Sequence, residues 1–339
     1  MDKPIHLVLE SGLAFHKLTI DGVNGPGQVT VSCRFPASET GPILEVTNCQ
    51  APVWVDGLRV SDTRIIFYQS QPIGLPTDDA IRIVGSSDVV LTNCHGTASV
   101  RGSGLSVLSS TVHVVDSMFD GGRGSDSTLN LLAQPGISAA MSTLYLTEVT
   151  ATGGAGGILG PNPLAPGANG GPGCQLQLSS LFGRNLTLAG GSDGAGLPGT
   201  LIPGLPGQPL VQDMSSMVSQ TTGPFHDVQF APVATFGGPL DFVVGGPVGD
   251  IVALNFALDV APVYLPLASG SILTGTPFAS LALGVVPPGG SLTVPTTLPN
   301  FGPGLESIRL LTQVVALDAS MTQVFTGMGR TSTWFTPGL

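Results

Sequence analysis

The chain has almost no lysine. Lys3 and Lys17 are the two present, and Lys and Arg together make 11 residues against 22 Asp and Glu, a formal net charge of -11 over 339 residues. A phosphate-neutralising surface needs clustered cations, so nucleic acid is not expected as a partner. Charge of either sign is scarce, at 10% of residues, against about 25% in ordinary domains. The chain is nevertheless 42% hydrophobic with a mean hydropathy of +0.38, too apolar for charge-driven disorder. It has no apolar run of about 20 residues, the length a spanning helix needs. The most apolar stretch, 251–268, is broken by Asn255, Asp259, Pro262 and Pro266, so no membrane span is expected. MDKPIHLVLE carries no basic segment followed by an apolar one. Either the protein acts inside the cell or a signal was removed before Met1.

The four cysteines, Cys33, Cys49, Cys94 and Cys174, form no C-x-x-C pair, which leaves zinc and dithiol chemistry without support. Cys33 and Cys49 either form a disulfide or remain buried thiols. The five histidines (6, 16, 95, 113, 226) are scattered. No metal site and no cofactor is expected. G-x-S-x-G, H-E-x-x-H and phosphate-loop patterns are missing.

Glycine (48) and proline (29) are abundant. Glycine has no three-residue period, which excludes collagen. What the first 190 residues do contain is a degenerate repeat. Six segments align: 5–20, 44–60, 81–95, 105–119, 137–151 and 174–188. Each reads as an alternating strand, a small polar corner, a second alternating strand and one turn residue. The turn residues are Lys17, Gly57, Asn93, Asp116, Glu148 and Asn185, at intervals of 40, 36, 23, 32 and 37. Period-two alternation puts Val53 and Val55, Val89 and Leu91, Val112 and Val114, or Leu144 and Leu146 on one face. One coil cannot bury that face, whereas stacked coils close a continuous core. The longer intervals are expected to carry insertions at 21–43, 61–80, 96–104, 120–136 and 152–173, projecting from one side.

Residues 191–223 are rich in Gly, Pro and Ser and read as a linker or cap. From 224 to 339, short strand-like runs are separated by Gly, Pro and Asp turns, the pattern of an antiparallel sandwich. The expected fold is therefore all-β: a right-handed parallel β-helix of about six coils over 1–190, then a small antiparallel β-sandwich. The first coil starts almost at Met1 and leaves an edge open to self-association.

Alternation also fixes an outward column, Ala14, Trp54, Val90, His113, Tyr145 and Phe182. Trp54, His113, Tyr145 and Phe182 would then stripe one exterior sheet with about 4.8 Å between coils. Such a stripe either stacks on a glycan or is covered by an insertion, by the second domain or by a partner.

The six coils, especially DDAIRIVGSSDVVLTNC at 78–94, resemble the right-handed parallel β-helix, or pectin-lyase-like, superfamily. With its C-terminal stretch PGLESIRLLTQVVALD, the whole chain resembles secreted planctomycete-type β-helix proteins. That resemblance implies an extracellular or cell-surface location and polysaccharide or surface-glycan partners. It covers lyases, hydrolases, tailspikes and adhesins alike, so fold does not choose among them. In polygalacturonase-like hydrolases a paired Asp precedes a strand, as Asp78-Asp79 does here, but no Gly-His-Gly or Arg-x-Lys follows. Asp78 and Asp79 are the catalytic candidates, against a plain role as corner residues. For a lyase, Arg59, Arg82 and Arg184 fall at different places in the repeat without an Asp cluster. The expectation is a non-catalytic extracellular or cell-surface structural or glycan-binding protein, with a carbohydrate-active β-helix enzyme and a self-assembling subunit as alternatives.

Overall fold

The computed structural model describes residues 5–10, 17–24, 27–34, 43–61, 79–99, 102–124, 132–157, 167–194, 203–231, 233–268, 270–275, 279–299 and 307–336. Two parallel sheets face each other through the first part of the chain. The back sheet stacks seven strands: Lys17–Asp21, Ile43–Thr47, Ile81–Val84, Leu105–Leu108, Ile137–Ala140, Cys174–Gln177 and Leu210–Gln212. The front sheet runs Ile5–Glu10, Val29–Arg34, Val53–Asp56, Val89–Thr92, Thr111–Asp120, Thr143–Thr152, Ser180–Arg184 and Met217–Thr221. A short third wall is built from Arg59–Ser61, His95–Thr97, the ends of the two ten-residue strands, and Thr187–Ala189. This is a parallel β-helix. Its core is a set of in-register columns, such as Val29, Val53, Val89, Val112, Leu144 and Leu181 on the front wall.

Two corners recur along the stack on left-handed residues. The front-to-third corner is Gly57, Asn93, Asp116, Glu148 and Asn185, with φ between 48° and 75°. The back-to-front corner is Gly22, Asn48, Gly85, Ser109, Met141 and Leu178, with φ between 49° and 65°. Behind it runs a hydroxyl ladder. The backbone N–H groups of Cys49, Ser86, Ser110, Ser142 and Ser179 each donate to a serine Oγ one rung on, at 3.0–3.2 Å. Buried corner amides are thereby satisfied without a sheet partner.

Three expectations are corrected. Residues 5–20 are not one coil: Ile5–Glu10 pairs with Val29–Arg34 on the front wall, and Lys17 opens a back strand rather than forming a turn. Residues 29–34, expected within an insertion, are a front strand, because VTVSCR alternates as well as its neighbours do. Leu13, Ala14 and Phe15 lie outside the described residues, and Thr30 holds the place above Trp54. Finally, 210–221, within the span read as a linker or cap, pairs as a further rung at the end of the stack. Two of its four inward positions, Gln212 and Gln220, are polar beside Leu210 and Val218, which hides the period.

The glycine-rich excursions do show a local period of three. Gly121 and Gly124 donate to the carbonyls of Thr152 and Ala155, and Gly153 and Gly156 donate to those of Ala189 and Ser192. Across the arms a second ladder links Gly122, Gln134, Gly154, Gly171, Gly191 and Gly207, each N–H on the preceding carbonyl at 2.8–2.9 Å. A repeat of three is that of an extended left-handed chain without internal hydrogen bonds. The arms approach so closely that a Cβ on Gly154 would overlap the Gly122 carbonyl.

The remaining chain is the antiparallel β domain. Five strands (Val233–Thr235, Val324–Phe335, Ser307–Leu317, Ile251–Ala257, Ala279–Val285) face three (Asp227–Gln229, Pro239–Gly245, Ser291–Thr297), with a hairpin at Val260–Leu265 and Gly270–Thr274. Val233–Thr235 alone pairs in parallel among these sheets. Phe242, Leu254, Val314 and Trp334 lie in its core. All four cysteines are free thiols, so the pairing of Cys33 with Cys49 is absent. Among the described residues no helix is long and apolar enough to cross a membrane.

Candidate functional site: an aromatic seam and a corner groove

The structure places Trp54, Val90, His113, Tyr145 and Phe182 in one column of register partners on the outer face of the front wall. The column points outward but is not open. Trp54 and Val90 are fully buried, and they pack with Val115 against Val260, Leu273 and Leu311 of the β domain. His113 is 2% exposed, and its Nδ1 lies 2.8 Å from Ser271 Oγ. Tyr145 stacks with His113 at 4.6 Å and with Tyr264 of the β domain at 4.7 Å, while Phe182 contacts both tyrosines at 5.4 Å. The exterior glycan-binding stripe is therefore corrected to an interdomain seam. Alternation fixes where a side chain points, not what is folded over it.

Polar groups lock the same seam. Trp54 Nε1 donates to Thr92 Oγ1, which donates to Asp56 Oδ1, both at 2.8 Å. Thr331 Oγ1 reaches Asp56 from the β domain at 3.2 Å. Burial holds the Asp56 carboxyl above the usual range, against Arg330 and these hydrogen bonds. Gln28 clamps the hairpin, donating to Leu258 O at 2.7 Å and accepting from the Val260 N–H at 2.5 Å.

The Asp79 carboxylate is 5% exposed and accepts the Ser103 N–H at 2.7 Å, one rung on. That geometry fits a corner residue. Asp78 lies outside the described residues.

Ionisable side chains do converge elsewhere. A groove of about 310 Å³ follows the front-to-third corner, lined by Arg59, Asn93, His95, Asp116, Met118, Glu148 and Thr150, with Cys94 and Ser117 at its floor. Arg59, His95, Met118 and Thr150 are register partners on successive rungs of the third wall. Asp116 and Glu148 face each other across adjacent rungs, between Thr147 and Val149 on one strand and Val115 and Ser117 on the other, about 4.8 Å apart along the stack. Burial raises the Asp116 carboxyl above its ordinary value, Arg330 opposes that, and Asp227 adds to it. Asn185 Nδ2 donates to Glu148 Oε1 and to Gly223 O. His95 Nε2 lies 3.3 Å from Asp120 Oδ2 and from Thr97 Oγ1.

Arg59 shares this groove with Asp116 and Glu148, one aspartate and one glutamate rather than an Asp cluster. The signal was already in the turn column: residues read as corners also point side chains outward on successive rungs. Arg82 instead pairs with Glu45 at 3.1 Å on the back wall, and Arg184 is 1% exposed in the seam, donating to Thr326 O at 2.5 Å. No group of three or more His, Cys, Asp or Glu placed to hold a metal occurs among the described residues.

Fold and site together define a class: a parallel β-helix whose front wall is sealed by an antiparallel β domain and whose third wall carries a polar corner groove. Comparisons with protein-family models, with curated proteins and with solved structures find no match.

Proposed function

We propose that the chain is a non-catalytic extracellular or cell-surface protein that holds a polysaccharide or surface glycan along the corner groove. The carrying observation is that donors and acceptors recur on successive rungs: Arg59 and His95 on the third wall, Asn93, Asp116 and Glu148 at the corner. A polymer lying along the stack meets such groups every 4.8 Å or so. Met118, 43% exposed beside them, offers an apolar contact. The excess of carboxylates over cations favours neutral or amino sugars over uronates. The resemblance to pectin-lyase-like, planctomycete-type secreted proteins supports the location. Titration calorimetry against a polysaccharide panel tests the reading. Binding that Arg59→Ala and Glu148→Gln each weaken at least tenfold supports it, and equal affinity in both variants removes it.

One observation favours hydrolysis as a second reading. Asp116 and Glu148 are two carboxyls on adjacent rungs, and burial raises the Asp116 carboxyl above its ordinary value. One can give a proton to a leaving glycosidic oxygen while the other takes a proton from the attacking water. Release of reducing ends by the wild type, abolished in Asp116→Asn and in Glu148→Gln, selects this reading. Glycan binding without release selects the first.

A further inference from the structure

The last rung of the coil stack is built unlike the others. Among the described residues, Leu210–Gln212 closes the back sheet and Met217–Thr221 closes the front sheet, each with a neighbouring strand on one side alone. The Met217 N–H donates to Ser179 O, and Thr221 O accepts from the Asn185 N–H. In a parallel strand alternate residues bond to the same neighbour, so the backbone groups of Val218 and Gln220 point away from the stack. The same rung exposes large apolar side chains: Leu205 at 68%, Val211 at 38%, Met214 fully and Met217 at 50%. An unpaired strand edge asks for another strand, and apolar side chains around it ask for cover.

We propose that this rung pairs with the same rung of a second copy, giving a tail-to-tail dimer. The two terminal strands lie on opposite, facing walls. A single two-fold axis through both walls sets Met217–Thr221 antiparallel to its copy and Leu210–Gln212 antiparallel to its copy. The two open edges are then self-complementary, as an isologous contact requires, with Met214 and Met217 exposed at their rim. Gln212 and Gln220, which end the inward columns, bring both donor and acceptor to the junction. Head-to-tail stacking is disfavoured by register. Leu18 belongs to the Leu210 column, so an incoming first rung would set Ile20 on Gln212 and Asp21 on Asp213. Both of those carboxyls are held below the usual range, by hydrogen bonds from Thr47 and Asn48 to Asp21 and from Ser216 and the Leu178 N–H to Asp213, and they would repel.

Sedimentation velocity of the full chain across a concentration series tests the proposal, with amide exchange at Val218 and Gln220 as a second readout. The expected result is a twofold rise in mass with concentration, accompanied by slowed exchange at those two amides. Met217→Lys and Gln220→Pro should each return the monomer mass with unchanged circular dichroism. The proline removes an N–H that faces away from the fold, and Met217 is a surface position, so either variant alone suffices if the other does not fold. A monomer at every concentration, open-ended growth, or dimers undiminished in the folded variants would overturn it.

Discussion

The front wall and the third wall are made from the same coils, yet they meet different surroundings. Outward positions of the front wall carry Trp54, Val90 and Val115, and a whole domain is folded over them. Outward positions of the third wall carry Arg59, His95, Met118 and Thr150 and line an open groove. One corner residue per rung separates the two. The difference teaches that in a coiled stack the composition of an outward column decides whether that face becomes an interface or a binding surface. The backbone offers both equally.

The sharpest way to break that contrast is to truncate one residue on each wall. Trp54 is fully buried and hydrogen-bonded across to Thr92, so Trp54→Ala is expected to cost about 3–5 kcal/mol. Met118→Ala on the third wall should stay within about 0.5 kcal/mol. Chemical denaturation of both variants measures the gap. Equal losses would mean that the β domain does not stabilise the front wall.

The seam also carries a pH signature. Burial pushes the His113 imidazole down to about 4, whereas an unfolded histidine titrates near 6.5. Between those values the unfolded chain binds more protons, so stability is full above about 6.5 and falls as pH drops toward 4. The whole effect is on the order of 3 kcal/mol. Asp56, whose carboxyl is raised, pulls the other way as pH rises. Unfolding free energy followed from pH 7 to pH 4 should fall less in His113→Asn than in the wild type. An unchanged slope would show that His113 is not held neutral by the seam.

Much of the fold was legible because alternation survives insertion. Five of the six turn residues, from Gly57 to Asn185, are the left-handed corners of the structure. The sixth, Lys17, failed because a polar residue can open a strand as readily as make a turn. The last rung was hidden by Gln212 and Gln220, polar where a core residue was expected. The site was harder to read. Arg59 and Asp116 are 57 positions apart in the chain, and only coil closure brings them to one groove. The cover over Trp54 comes from residues beyond 258, which no local pattern connects to it.

The glycine arms set a third surrounding beside the two walls, one with no room for side chains. A methyl on Gly154 would meet the Gly122 carbonyl, within the ladder that ties neighbouring arms. Gly154→Ala is expected to destabilise by about 1–3 kcal/mol, the range for overpacking. Amide exchange should quicken at Gly154 and Gly171 while the front wall stays protected. Uniform loss of protection would mean that arms and walls unfold as one unit.

A small gain is expected at the corner opposite the groove. Asn48 and Met141 occupy equivalent corners with φ of 52° and 51°, but only asparagine tolerates the left-handed region well. Met141 is 56% exposed, so little packing offsets its strain. Met141→Asn should raise stability by up to about 1 kcal/mol, the low end of the left-handed penalty, read as a higher denaturant midpoint at constant slope. A fall would show that the methionine makes contacts along that corner which outweigh its backbone strain, and an apolar ridge there would join the sealed front wall rather than the open third one.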